Sequence, residues 1–387
     1  MMGSPRILRV VIVVGEASGD VLGSALLKEL NKRFLTLESV GIGGPLMVSQ
    51  GFSAWYPMSE LSVMGYVEVL LKLPRLLKIR STLLKKIIAY KPDLVIGVDA
   101  PDFNLSLERS IRKSGIPVMH LVSPSIWAWR YERVHKIRES VDRMLVLFPF
   151  EQEIYEREGI PVSYVGHPLA DEIEPEIDQL KYRSEFGFLP QDRVVALLPG
   201  SRKTELKQHL NLMMDAAEMI QNAFPDIRFV VPLLDKEAHD FARSILGRRD
   251  YTLNGAVEFI VAKTQSAFKS VDIAIVASGT ATLEGLLCEC PMVVTYKVSK
   301  LTAWLMRRRA SPKFVSLPNI ISNESLVSEL IQENARPDLL ANAVISMLQN
   351  SDQLASLRGR FRNIKSTLRM GSAKRSADVI QRFLNIE

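Results

Sequence analysis

Val271-Asp272-Ile273-Ala274-Ile275-Val276-Ala277-Ser278-Gly279-Thr280-Ala281-Thr282-Leu283-Glu284-Gly285 reads as a buried strand, a tight turn and a helix that starts at once. Residues 273–277 are continuously apolar, as expected of a central parallel strand covered on both faces. Ser278, Gly279 and Thr280 then supply a glycine for close backbone approach and hydroxyls to cap the helix. Unpaired N–H groups at such a helix start favour an anion, most often phosphate. Glu284 follows about one turn later, where its carboxylate can accept from paired sugar hydroxyls beside the phosphates. A capped helix with a surface glutamate fits this turn equally well when it is taken alone.

The 387-residue chain is long enough for two domains, each with its own core. Its 47% hydrophobic and 24% charged residues match a globular protein. The net charge of +6 permits a polyanionic or membrane-surface partner without demanding one. Cys288 and Cys290 stand too close for an ordinary disulfide, and no His or Cys spacing fits a metal, so a reducing compartment and no metal site are expected. The apolar run at 7–14 contains Arg9 and lacks a cleavage site, so it does not read as a signal peptide. No stretch reaches the roughly 18 apolar residues of a membrane span. A cytosolic protein, or one resting on a membrane from that side, is the expectation.

The first half opens as a doubly wound sheet does, with a strand at 10–14, the turn Gly15-Glu16-Ala17-Ser18-Gly19-Asp20, and a helix. Gly15 and Gly19 are four apart, so this turn is not a dinucleotide fingerprint, which disfavours a dehydrogenase. Residues 40–44 form a second glycine-rich turn against which ligand or backbone approaches closely. Residues 66–90 carry apolar positions at helical spacing with Lys72, Arg75, Lys78, Lys85 and Lys86 on another side, and Pro74 interrupts them. That pattern fits adsorption to an anionic membrane, or a helix packed on the sheet with solvated lysines. Strands at 93–98, 118–122 and 144–148 complete the half. Asp99 sits at the carboxyl end of its strand, where ligands bind in open parallel sheets, and burial there suits a general base. Asp102 reads better as a helix cap. Trp127, Trp129 and Arg130 fit a sugar pocket wall or plain packing.

Residues 171–192 read as a charged linker, and a second α/β domain spans 193–350 with strands at 194–198, 228–232, 257–261, 273–277 and 292–296. Gly200-Ser201-Arg202 forms its first turn, where a guanidinium beside a helix start suits a pyrophosphate. Helices follow over 351–387, and in two-domain folds of the GT-B kind the final helix often returns to the first domain (residues 1–170). No nucleic-acid motif accompanies the basic charge. Fold class is therefore α/β, with two Rossmann-like doubly wound domains and a cleft between them, as in GT-B nucleotide-sugar enzymes.

Eight segments, in order, resemble the lipid-A-disaccharide synthase family: GEASGD (15–20), MGYVEVL (64–70), GVDAPDFN (97–104), SPSIWAWR (123–130), GHPLAD (166–171), LLPGSR (197–202), SGTATLE (278–284) and LPNI (317–320). The resemblance implies a metal-independent inverting glycosyltransferase without cofactor. It would join UDP-2,3-diacylglucosamine to 2,3-diacylglucosamine 1-phosphate (lipid X) through a β-1′,6 link and release UDP at the inner face of the inner membrane. Asp99 would be the base. Gly200, Ser201, Arg202, Ser278, Gly279, Thr280, Glu284 and Asn319 would hold the nucleotide sugar. Gly15, Glu16, Ser18, Gly19 and Asp20 would border the acceptor, and Met64, Val69, Leu73, Leu76 and Leu77 would meet membrane or acyl chains. No nucleic acid is implied, and the chain would be a monomer or homodimer, with exchange of the final helices in a dimer as the alternative to their return. The rivals are a UDP-GlcNAc 2-epimerase or similar nucleotide-sugar enzyme, and a non-catalytic membrane-associated binding protein.

Overall fold

A computed structural model describes residues 7–61, 66–127, 130–247, 253–298 and 313–385, with the side chains of 66–72 and 254 left aside. Met64, Trp129 and the basic stretch 301–309 lie outside the described residues, as does the Val69 side chain. The chain divides into two compact units, Met1–Asp171 with Leu368–Glu387, and Glu172–Thr367.

The first unit is built on seven strands: β1 (Leu8–Val14), β2 (Leu37–Gly43), β3 (Ser53–Pro57), β4 (Leu94–Val98), β5 (Val118–Leu121), β6 (Arg143–Val146) and β7 (Val162–Tyr164). All pairings are parallel, in the order β3-β2-β1-β4-β5-β6-β7. The two-residue period of a strand explains why both faces are covered. Val10, Ile12 and Val14 of β1 enter one core while Val11 and Val13 enter the other. Between β1 and β4 the winding reverses, which opens a crevice at the carboxyl ends of these two strands.

Residues 40–44 are not a free turn, because most of them belong to β2. Gly41 has φ +138°, and a Cβ there would strike the Ile12 carbonyl of β1, so the close neighbour is backbone rather than ligand. Helix α1 (Ala17–Arg33) and a short α2 (Pro45–Ser49) follow β1 and β2. Helix α3 (Tyr66–Tyr90) is continuous through Pro74. Its later part docks through Ile79, Leu83 and Ile87, spaced by four and all buried, whereas Leu73 and Leu77 are 43% and 45% exposed. The packed-helix reading therefore holds for the later part, while Leu73 and Leu77 stand exposed. No helix among the described residues is long and apolar enough to cross a membrane.

The GHPLAD segment organises the return of the chain. Asp171 accepts from the amides of Gly371 and Ser372, and the His167 amide donates to the Leu368 carbonyl. These bonds seat the last helix, Ser372–Phe383, whose Ala377, Val379 and Ile380 join the core beside α1. Arg33 clamps it through Asp378 at 2.6 Å.

The second unit holds six parallel strands, β8 (Val194–Leu198), β9 (Arg228–Leu233), β10 (Val257–Val261), β11 (Ile273–Ala277), β12 (Met292–Tyr296) and β13 (Ser328–Ile331), in the order β10-β9-β8-β11-β12-β13. Here the winding reverses between β8 and β11. The stretch read as a linker is packed into this unit. Buried Arg183 donates to the Ser270 and Pro190 carbonyls and pairs with Asp272 at 2.8 Å. The helix Ser351–Leu368 also belongs almost wholly here, its Lys365 meeting Glu289 at 3.2 Å.

Candidate active site

At the switch point of the second unit lies a cavity of about 430 Å³, lined by Gly200, Ser201, Arg202, Ser278, Gly279, Thr280 and Glu284, with Glu205, Pro232, Leu234 and Tyr296 among the remaining walls. The two turns therefore meet at one place, because β8 and β11 are neighbours in the sheet. Gly279 has φ +156° and ψ −160°, a region essentially reserved for glycine, while nothing stands within 4 Å of its missing Cβ. Glycine is thus required by the backbone bend and leaves the cavity open at that point. The helix Thr280–Leu287 starts immediately behind, and its first amides have no intrahelical acceptor. Thr282 Oγ1 donates to the Gly279 carbonyl at 2.8 Å and so fixes the turn from inside. Ser278 Oγ donates to the Val315 carbonyl at 3.2 Å. Burial drives the Glu284 carboxyl above its ordinary range, against the opposing influence of Gln265 and Lys269.

The β8 turn differs from its reading. Glu205 Oε2 accepts from the Ser201 and Arg202 amides at 3.0 and 3.2 Å, so a carboxylate of the chain already occupies the place expected for phosphate. Gly200, at φ +109°, makes room for it: a Cβ would come within 2.5 Å of Glu205 Cβ and Oε2. What this turn offers a ligand is the Arg202 guanidinium, 79% exposed and tethered to Glu205 Oε1 at 3.1 Å. His209 supports the same turn. Its Nδ1 meets the Pro199 carbonyl at 3.2 Å and its Nε2 accepts from the Lys297 amide at 2.9 Å. Those partners require the neutral tautomer with the proton on Nδ1, and burial lowers the imidazole pKa in keeping with it.

Asn319 is not brought to the cavity. Its side chain is 1% exposed, and Nδ2 donates to the Val327 carbonyl and Glu329 Oε1, both at 2.9 Å, while Oδ1 accepts from the Val327 amide at 2.8 Å. Both amide hydrogens are engaged and the side chain is buried, so its role is to clamp the 315–319 loop. Glu329 completes that clamp by accepting from the Ser316 amide and hydroxyl at 2.8 and 2.6 Å.

The first unit carries a second constellation at its own switch point. Asp99 directly follows β4 and Gly15 directly follows β1. A Cβ on Gly15 would lie 2.5 Å from Ala100 Cβ, so glycine lets the two strand ends close up. Asp99 and Ala100 have φ +51° and +46°, and Val122 after β5 has φ +79°. Left-handed backbone at three non-glycine residues, one of them β-branched, costs about 1–3 kcal/mol each. Such strain persists only where the surrounding structure enforces it. Asn104 helps to do so, its Nδ2 donating to the Asp99 carbonyl at 2.8 Å. Burial raises the Asp99 carboxyl, Glu16 raises it further, and His120 opposes both.

Of the other candidates on this side, Glu16 and Ser18 are exposed and joined to each other at 2.7 Å. Asp20 instead points inward. It is 2% exposed, and its oxygens accept from the amides of Gly44, Leu46 and Met47 at 3.0–3.1 Å, capping α2. Gly19 is a packing residue, its missing Cβ 3.2 Å from Val14. Among the described residues no group of three or more His, Cys, Asp or Glu side chains is arranged to hold a metal.

Two all-parallel α/β units, each with chemistry-bearing turns at its switch point, define the GT-B class. Solved structures of that architecture cover nearly the whole chain. A putative UDP-N-acetylglucosamine 2-epimerase from Listeria monocytogenes aligns over 99% of this chain and 98% of its own, with TM-score 0.65 and 14% identity. A glycosyltransferase from Rickettsia africae aligns over 99% and 100%, with TM-score 0.61 and 14% identity. At such identities the likeness shows the fold alone.

Sequence decides the rest. Residues 10–383 match the family model described as lipid-A-disaccharide synthetase, and the chain belongs to that family. A lipid-A-disaccharide synthase of Methylobacillus flagellatus is 44% identical over 96% of this chain and 98% of its own length. One from Pseudomonas fluorescens strain Pf0-1 is 43% identical over 96% and 97%. The chain is accordingly a glycosyltransferase, and its epimerase-like fold carries a different reaction.

Proposed function

We propose that the chain transfers 2,3-diacylglucosamine from UDP to the 6-hydroxyl of 2,3-diacylglucosamine 1-phosphate (lipid X), with inversion. The acceptor oxygen attacks the anomeric carbon of the donor as the bond from that carbon to the diphosphate oxygen breaks. UDP leaves with the electron pair, and the hydroxyl proton passes to Asp99. The observation that carries this reading is the cavity at the β8/β11 switch point, whose glycine bend, helix start and guanidinium suit a nucleoside diphosphate.

Gly279 and Thr280 would hold the diphosphate through backbone amides, Ser278, whose own amide donates to the Thr295 carbonyl, would line the cavity beside them, Arg202 would add charge, and Glu284 would receive the ribose hydroxyls. Fixed dipoles and a guanidinium are the means by which a leaving diphosphate is stabilised here, and the reading invokes no metal and no cofactor. Glu16 and Ser18 would face the acceptor sugar. Both substrates bear acyl chains, so we infer that the exposed Leu73 and Leu77 of α3 meet the inner face of the inner membrane. The test is UDP release from the diacylated donor with and without lipid X. Release that requires lipid X supports transfer; conversion of UDP-GlcNAc with no acceptor would support epimerase chemistry, and no release under either condition would leave only a binding protein.

A further inference from the structure

Beneath Asp99 lies a buried acid–base pair that the reaction above does not use. Glu108 of α4 (Pro101–Lys113) and His120 of β5 are 1% and 0% exposed, and Glu108 Oε1 stands 2.6 Å from His120 Nδ1. Gly97 of β4 creates the space. A Cβ there would run into Glu108 Oε1 and stand 3.1 Å from His120 Nδ1. Gly97 and His120 are register partners across β4 and β5, and Asp99 comes two residues after Gly97, one pleat nearer the carboxyl edge. The strained Asp99–Ala100 backbone is tied to the same helix by Asn104.

The pair is incompletely satisfied. Glu108 Oε2 and His120 Nε2 are buried without a hydrogen-bond partner, and so is Asn104 Oδ1. An apolar pair of similar volume is usually no less stable than a buried ionic one, so folding alone gives little reason for these residues. Their electrostatics point outward to the site. Burial opposes a charge on His120, but Glu108, and after it Asp99, outweigh that effect and raise its pKa above the ordinary value. From α4 the imidazole faces Glu108, from the end of β4 it faces Asp99, and β6 opposes it with uncharged Met144. Asp99 in turn feels Glu16 from the β1 turn, which disfavours its ionised form.

We propose that Glu108 and His120 are positioning residues that hold a positive imidazolium behind Asp99, keeping it ionised and able to take the acceptor proton. Glu108 fixes the ring and its charge; His120 offsets the burial and the Glu16 repulsion that disfavour the ionised form of Asp99. The inference rests on Asp99 being the base.

The test compares Glu108→Gln, His120→Gln and the apolar double variant E108L/H120L with wild type, reading kcat/KM for lipid X from pH 5.5 to 9. Each variant is expected to move the acid limb of the profile upward by about a pH unit or more, a loss of up to about tenfold or more along that limb with recovery toward wild type at high pH, because loss of a nearby opposite charge raises a carboxyl pKa by about a unit or more. UDP affinity should stay unchanged. The double variant guards against misfolding of the singles and should melt no lower than wild type while showing the same acid-side loss. A wild-type pH profile in the folded double variant, or a loss equal at every pH, would overturn the proposal. Asp99→Asn is assayed alongside. If it is fully active, the base assignment falls and takes this inference with it. If Asp99→Asn is nearly inactive and the pair variants keep the wild-type profile, only this inference falls.

Discussion

Gly279→Ala isolates the contribution of one backbone bend. The added methyl meets open space, with no heavy atom within 4 Å of its position, so packing contributes nothing to the cost. The whole penalty is conformational, because φ +156°, ψ −160° is a region alanine avoids at about 1–3 kcal/mol. The chain has two ways to respond. If the bend is kept, stability falls by that amount. If the turn relaxes, the amides at the start of the Thr280–Leu287 helix swing away, and the same 1–3 kcal/mol appears as an about 5- to 150-fold weaker UDP Kd. Calorimetric titration with UDP, paired with a thermal melt, separates the two, and the losses together should come to about 1–3 kcal/mol. Gly200→Ala serves as the contrast, since its methyl would meet Glu205 at 2.5 Å and add a steric cost to the backbone one. A Gly279→Ala protein with wild-type melting temperature and wild-type UDP Kd would refute the reasoning.

Other perturbations test neighbouring parts of the structure. Leu73→Ser with Leu77→Ser should weaken binding to anionic vesicles by tenfold or more, at about 1 kcal/mol per half-exposed leucine, and leave the melt unchanged, whereas Leu83→Ser, fully buried, should destabilise the fold; vesicle flotation and melting curves decide. Asn319→Ala leaves the Val327 amide and carbonyl and Glu329 short of partners, so it should cost about 3 kcal/mol of stability while the protein that remains folded binds UDP normally. Burial lowers the His167 pKa to about 4, below its unfolded value of 6.5. The folded state therefore resists protonation, and stability should fall as pH drops from 6.5 toward 4, by at most about 3 kcal/mol. His167→Gln should flatten that slope in denaturant titrations at several pH values.

Much of the fold was legible because the central strands bury both faces and so appear as unbroken apolar runs, as at 10–14, 194–198 and 273–277. The strands that escaped notice lack that signal. β2 carries Glu38, Ser39 and two glycines, one of them needed for contact with the β1 backbone, and therefore imitates a turn. β7 and β13 are short, β3 has no fully buried residue, and each lies at the edge of its sheet. Asp99 and the Gly279 turn were legible because their geometry is local, a strand end leading into a helix. Asp20 and Asn319 resemble site residues in sequence, but their partners lie 24–27 and 8–10 residues away, where spacing gives no guide. Glu205 likewise reads as an ordinary helix residue, although its carboxylate folds back over the very amides assigned to a ligand. The Glu108–His120 pair is hidden by topology, since only the β4–α4–β5 connection brings the two together.

The most direct measurement is turnover of Asp99→Asn with donor and lipid X, taken together with its UDP titration and its melt. Loss of the base should lower kcat by about 10²-fold or more while UDP binds as before. The folded-state pKa of Asp99 lies above its unfolded value, so its ionised form weakens the fold at neutral pH, and asparagine should melt at or above the wild-type temperature. Near-normal turnover in a folded Asp99→Asn protein would contradict the proposed reaction at its central step.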